Sequence, residues 1–194
     1  MRTDRRARLK WYCDYLPQER LVLDASFLIN LLACDVSSQV LQVLPFSCLV
    51  EKTVLREISR HPILGRCPKT EIGALEDVGL IEITSMTDEE YERYLSIVQA
   101  PLAHRLDSGE SATIVVSQSR GLSAVIDENK ARTYMKQNMP GVSVISTLKL
   151  LISSSVRLGW DELTLKGVVE QARLLSRMGV PREEKSLLQQ VLDS

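Results

Sequence analysis

Aromatic residues are scarce in this chain: two Trp, five Tyr and two Phe make up 5% of 194 residues. A surface dominated by stacking platforms for single-stranded bases is therefore not expected, and the core has to be built mostly from Leu, Val and Ile. Histidine is scarcer still, with only His61 and His104, and the four cysteines (Cys13, Cys34, Cys48 and Cys67) contain no C-x-x-C pair. Zinc-site spacing is thus missing. Cys34 and Cys48 lie in apolar surroundings and read as small core residues. Charge of one sign is also lacking: the formal net charge is −1, which leaves no whole-molecule basic field for nucleic acid. The longest apolar run, around "LKLLI", is far too short to span a bilayer. The basic start leads into "WYCDYLPQER" rather than an apolar stretch, so no secretory signal is read. The expectation is a cytoplasmic protein with reduced thiols and no membrane partner. Neither a P-loop nor a G-x-G-x-x-G is present, which removes support for a nucleotide-binding fold.

What is present suits one globular domain with short appendages: 44% hydrophobic and 25% charged residues. Residues 1–19 form a basic N-terminal extension, with Arg2, Arg5, Arg6, Arg8 and Lys10 set against Asp4. They read as a solvated terminus or, more sharply, as a phosphate-attracting arm. From residue 20 onward, strand-like and helix-like segments alternate. "RLVLD", "PFSCLVEK", "LIEIT", "LSAVID" and "GVSVIS" read as strands. Between them, "SFLINLLACD", "TVLREISRH" (from a Thr53 cap to a stop at His61-Pro62), "TEIGALEDVG", "TDEEYERYLSIVQA", "DSGESATIVVSQSRG", "NKARTYMKQN" and "TLKLLISSSVRLG" read as helices. The boundaries are 20–160 for the α/β domain and 161–194 for amphipathic C-terminal helices packed on or extending it. The alternation predicts a parallel sheet with helices on its faces, where function collects at the carboxyl ends of the strands.

Two strands end in acid in the same way, "LVLD" at Asp24 and "AVID" at Asp127. Burial on both faces explains the apolar runs but not the carboxylates, which repel one another and lose water when brought together. Glu57, beside the apolar face of "TVLREI", and Glu110, at the start of the "DSGESATI" helix, can reach the same edge. Each acid also has a plain alternative. Asp24 and Asp127 can cap the helices that follow, Glu57 can be a solvated helix residue, and Asp107 with Glu110 has the spacing of a capping box. Taken together in this order, the four acids point to a hard cation, Mg²⁺ or Mn²⁺, because the donors are oxygen only. Such an ion suits phosphodiester hydrolysis. Arg105, Lys130 and Arg132 lie close enough in the chain to hold flanking phosphates.

The stretches "VLDASFLINLL", "TVLREI", "LDSGESATIVVS", "AVIDENKAR" and "VISTLKLLISSSVRLGW" resemble, in their order, the PIN-domain (PilT N-terminus) nucleases. They are most similar to the branch whose third motif reads L-x-x-G-E, and "LLSRMGVPREEKSLLQQVL" is similar to that branch's C-terminal helices. The resemblance implies an α/β/α sandwich with a central, five-stranded parallel sheet. It also implies a divalent-metal site, endoribonuclease activity on RNA and, for many members, a VapC-like toxin held by a small antitoxin protein, often as a homodimer. By position it assigns Asp24, Glu57, Glu110 and Asp127 as the catalytic and metal-holding acids, with Ser26, Glu128 and Thr147 in support. One departure is Ala112, where the G-E motif often carries a second acid. Two other readings compete. One is a non-catalytic PIN-like module that binds RNA or protein, which the intact acidic set disfavours. The other is a phosphatase with an Asp nucleophile, whose D-x-D start is missing because Ser26 follows Ala25.

Overall fold

The computed structural model describes residues 20–58, 69–102 and 105–194. The basic extension, Cys13, Cys67, His61 with its Pro62 stop, and His104 lie outside the described residues. Five strands, β1 (Arg20–Leu23), β2 (Ser47–Glu51), β3 (Glu82–Thr84), β4 (Ser123–Val125) and β5 (Val144–Ile145), form one sheet of order β3-β2-β1-β4-β5. Every pairing is parallel. The expected α/β architecture, a central parallel sheet flanked by helices and followed by C-terminal helices, is the one observed.

The strands behave as doubly covered strands must. Leu21, Val22 and Leu23 are fully buried, as is Ala124. Strand β4 and the residue after it divide their side chains between two cores: Val125 joins the larger cluster, while Ala124 and Ile126 join the other. The smaller core is filled by α5 (Asp88–Val98), α6 (Ser108–Arg120) and α7 (Asn129–Asn138), through Ile97, Ile114, Val115, Ala131 and Met135. The larger one takes Phe27, Leu28 and Leu31 from α1 (Ala25–Ala33), together with Leu148, Leu151 and Ile152 from α8 (Thr147–Leu158). Helix α9 (Glu162–Leu175) adds Leu165 and Val169, and α10 (Lys185–Leu192) adds Val191. Cys34 and Cys48 are free and buried among these residues, which pushes their thiols up to about 11 and about 12. They are core residues, as their surroundings suggested.

Helix ends follow local chemistry. Thr87 and Glu90 make the reciprocal capping box of α5, and Glu90 also receives the Nε and NH2 of Arg120 at 2.8 Å each. Gly121 closes α6 at φ +64°, a conformation that favours glycine. Two expectations need correction. Helix α3 (Lys52–Ile58) starts straight out of β2, before Thr53. The capping acceptor is the Glu51 carboxylate, which takes the Thr53 N–H at 2.5 Å, because no loop separates strand from helix and that amide is one of the orphan donors. An additional helix, α2 (Ser37–Val43), follows α1; its Val36 cap makes no side-chain hydrogen bond, so no start signal marks it. Helix α4 (Lys69–Asp77) and β3 fall where expected. Among the described residues, no helix is long and apolar enough to cross a membrane.

Candidate active site

The acids gather at the carboxyl edge of the sheet. Register pairs Leu23 with Val125, so Asp24 is level with Ile126 and Asp127 follows one residue later off the neighbouring strand. Asp24 caps α1 as the plain reading required: its Oδ2 accepts from Ser26 N–H at 3.3 Å and Ser26 Oγ–H at 2.7 Å. Its other oxygen, Oδ1, is buried with no hydrogen-bond partner. A cap uses one oxygen, and the second is left as a buried anion's lone pairs without a donor. Burial raises the Asp24 pKa against the pull of Ser26, and the Asp107 charge raises it further.

Asp127 does not cap the helix that follows it. Glu128 does, accepting from Lys130 N–H at 3.4 Å. The Asp127 carboxylate turns instead to the start of α8, where Thr147 donates its N–H to Oδ1 at 2.8 Å and its hydroxyl to Oδ2 at 2.5 Å. Burial pushes the Asp127 carboxyl up to about 7; Thr147 opposes the shift, while the charges of Asp24 and Glu184 add to it. Glu110 sits in the first turn of α6, where Asp107 accepts its N–H at 2.9 Å. It is buried, and its carboxyl rises to about 8, through burial first and then the charges of Asp107, Asp24 and Glu128. Asp107 is therefore a cap, as its spacing indicated, and also part of the acidic field.

Glu57 reaches this group from α3. Its Oε1 accepts from Gly109 N–H at 2.6 Å. A Cβ at position 109 would stand 2.3 Å from Glu57 Oε2, so only glycine admits the carboxylate there. Gly109→Ala is expected to push the Glu57 carboxylate off the Gly109 amide with little change in stability, because every atom in the way belongs to the far end of that side chain. Faster hydrogen exchange of the residue-109 amide at near wild-type urea stability checks it; unchanged exchange would show that Glu57 keeps its place.

The remaining candidates are placed as follows. Ser26 and Thr147 each donate to an acid, and Glu128 is exposed but acts electrostatically on Glu110. Lys130 Nζ donates to the carbonyls of Leu102 at 3.3 Å and Arg105 at 2.7 Å. Arg132 donates to the Ile126 carbonyl at 2.9 Å and to Glu183 Oε1 at 3.0 Å. Both spend donors inside the molecule, whereas the Arg105 side chain is exposed. Sequence reasoning missed two acids. Glu51 ends β2, and the register that pairs Val22 with Leu49 sets it level with Asp24. The run "CLVE" carries the same apolar-then-acid signal as "LVLD" and "AVID". Glu184, buried near Asp127, gives no such signal, since "PREEKSLLQQVLDS" reads as an amphipathic helix.

The donor set is carboxylate oxygen, the type that holds a hard divalent cation. The orphaned Asp24 Oδ1 and the upward shifts of Asp24, Glu110 and Asp127, caused first by burial and then by neighbouring carboxylates, mark negative charge that a cation would relieve. Among the described residues, no three His, Cys, Asp or Glu side chains converge tightly enough to grip an ion as they stand. The fit is therefore one of charge and donor type, with closure left to side-chain rotation. In comparisons with known proteins, the profile of one family, DUF3368, described as a PIN domain, matches residues 20–164. No curated protein matches the chain.

Proposed function

The chain belongs to the PIN-domain family, and from that premise we propose that it is a divalent-metal-dependent endoribonuclease hydrolysing RNA phosphodiesters. The observation that carries the reading is the buried, unpartnered Asp24 Oδ1 beside Glu110 and Asp127, whose carboxyls rise to about 8 and about 7. Asp24, Glu57, Glu110 and Asp127 would hold Mg²⁺ or Mn²⁺, which when bound supplies Lewis-acid polarisation of a phosphoryl oxygen and a more acidic water. The chain's own residues do the arranging. Ser26 fixes one oxygen of Asp24 and leaves the other presented. Thr147 locks both oxygens of Asp127. Glu57 is seated by the Gly109 amide at the head of α6, where the helix dipole favours an anion. One of these acids would orient the attacking water. Exposed Arg105 is the proposed phosphate contact, with Lys130 and Arg132 supporting the same edge.

A toxin role is the finer form of this reading. It brings a small antitoxin partner, a homodimer and a short gene beside this one, which gene order would reveal. The test of the reading itself is cleavage of a mixed panel of structured and single-stranded RNAs by the full chain in Mg²⁺, Mn²⁺ and EDTA. Metal-dependent cutting that is lost in an Asp24→Asn/Asp127→Asn variant is expected. No cutting and no metal-induced rise in melting temperature would instead leave a binding module with capped helices.

A further inference from the structure

The family match ends at residue 164, yet the chain comes back to the acidic edge after it. Between α9 and α10, residues 178–184 lie across the strand ends. Met178 is buried, and a Cβ at Gly179 would stand 3.5 Å from the Cβ of Asp127, in ordinary contact. Arg182 N–H donates to Asn129 Oδ1 at 3.1 Å. The segment closes in a short 3-10 turn, Arg182–Glu184, and Glu184 is 2% exposed.

The partners of Glu184 are specific. Its Oε2 accepts from the Ser146 hydroxyl; its Oε1 makes no hydrogen bond but stands 3.2 Å from Lys149 Nζ and 3.7 Å from Arg132 Nη2. Ser146 is the cap of α8, accepting from Lys149 N–H at 3.2 Å, and precedes Thr147, whose two donors hold Asp127. Arg132 holds the carbonyl of Ile126, the residue before Asp127. One buried carboxylate thus hydrogen-bonds the residue before Thr147 and lies within ion-pair range of the arginine that holds Ile126. For merely seating α10 on the core, an apolar side chain would serve as well or better, because a buried ion pair costs desolvation.

We propose that residues 178–184 form a strap that positions Asp127, with Glu184 as the positioning residue that anchors it through Ser146, Lys149 and Arg132. Its functional consequence rests on the metal-dependent reading of the site; the positioning itself does not. The groups around a ligand carboxylate commonly change metal affinity by about 10–100-fold when removed.

The experiment measures two quantities on the full chain: hydrogen exchange of the Thr147 amide without metal, and Mn²⁺ affinity by titration. Glu184→Ala is expected to speed Thr147 exchange at least about tenfold and to weaken Mn²⁺ by about tenfold. Glu184→Gln keeps an acceptor for the Ser146 hydroxyl and should restore most of both, even where its melting temperature falls as far as that of the Ala variant. Ser146→Ala removes the same bond together with the α8 cap, and should speed Thr147 exchange at least as much as Glu184→Ala does. Thr147 exchange at the wild-type rate in Glu184→Ala or Ser146→Ala overturns the strap. So does loss that simply tracks melting temperature across the Ala and Gln variants. A wild-type chain that binds no Mn²⁺ and cuts no RNA fails the nuclease reading instead, while Thr147 exchange still decides the strap.

Discussion

Asp24→Asn should abolish metal-dependent RNA cleavage and at the same time raise the melting temperature of the metal-free protein. The two effects separate the readings of Asp24. As a helix cap, Asn serves about as well as Asp, so a capping role alone predicts little change in stability and none in activity. As a site acid, Asp24 carries a buried oxygen with no donor and shares its charge with Asp107, Glu110 and Asp127. Neutralising it removes that repulsion while the amide oxygen keeps the Ser26 contacts. The expected gain is about 1–2 kcal/mol, of the size seen when a functional site is relieved of its burden. For a chain of this length that is roughly 2–4 °C per kcal/mol in melting temperature. Cleavage should fall about 10³-fold, because the lost charge is one that acts on the transition state. A variant that still cuts at the wild-type rate would return Asp24 to a cap. A variant that loses activity and also melts lower would mean that Ser26 and Asp24 hold the strand end mainly as structure.

The fold was legible because its signals are dense and local. "LVLD" and "SAVID" are short apolar runs buried on both faces, and the turns between elements carry Thr87, Asp107 and Gly121 where helices begin or end. Helix α2 was not legible, since it is brief, uncapped by any side chain and buries only Val40 and Leu41. The four candidate acids were legible as a set, yet the groups that hold them were not all so. The approach of Glu57 to Gly109 joins residues 52 apart in sequence, and the Asp127–Thr147 pair joins residues 20 apart. Spacing alone could make Asp127 a cap; only the return of β5 and α8 beside β4 gives it Thr147 instead. Glu184 was out of reach for the same reason, magnified: its hydrogen-bond partner Ser146 lies 38 residues back, and a pair of glutamates after an arginine looks solvated until the chain closes over it.

The second large effect is an inverted dependence of stability on pH. Glu110 at about 8 and Asp127 at about 7 stand above their ordinary values of 4.5 and 3.8. Across the window between those ordinary values and about 7–8, the folded metal-free chain holds protons that the unfolded chain has released. Stability from these groups is therefore fully present below about pH 4 and is lost as pH rises through 7 and 8, at up to roughly 1.4 kcal/mol per pH unit for each proton. The usual carboxylate does the reverse. Glu90, lowered mainly by its Arg120 hydrogen bonds, contributes stability at neutral pH that is lost as pH falls through its folded value. The metal-free protein should thus gain stability from pH 8.5 to about 5.5 before such paired acids protonate and reverse the trend. Saturating Mn²⁺ should flatten or invert this rise, because the ion favours the deprotonated acids and its binding releases protons. Urea titrations at pH 5.5, 6.5, 7.5 and 8.5, in EDTA and in Mn²⁺, read both limbs. An EDTA series that is flat, or that falls toward pH 5.5 as for ordinary carboxylates, would show that burial and the neighbouring acids do not hold Glu110 and Asp127 protonated. The charge argument for a cation at this edge would then be lost with it. A rise that disappears in a Glu110→Gln/Asp127→Asn variant would instead assign the inversion to those two side chains, and so to the same edge from which cleavage is proposed.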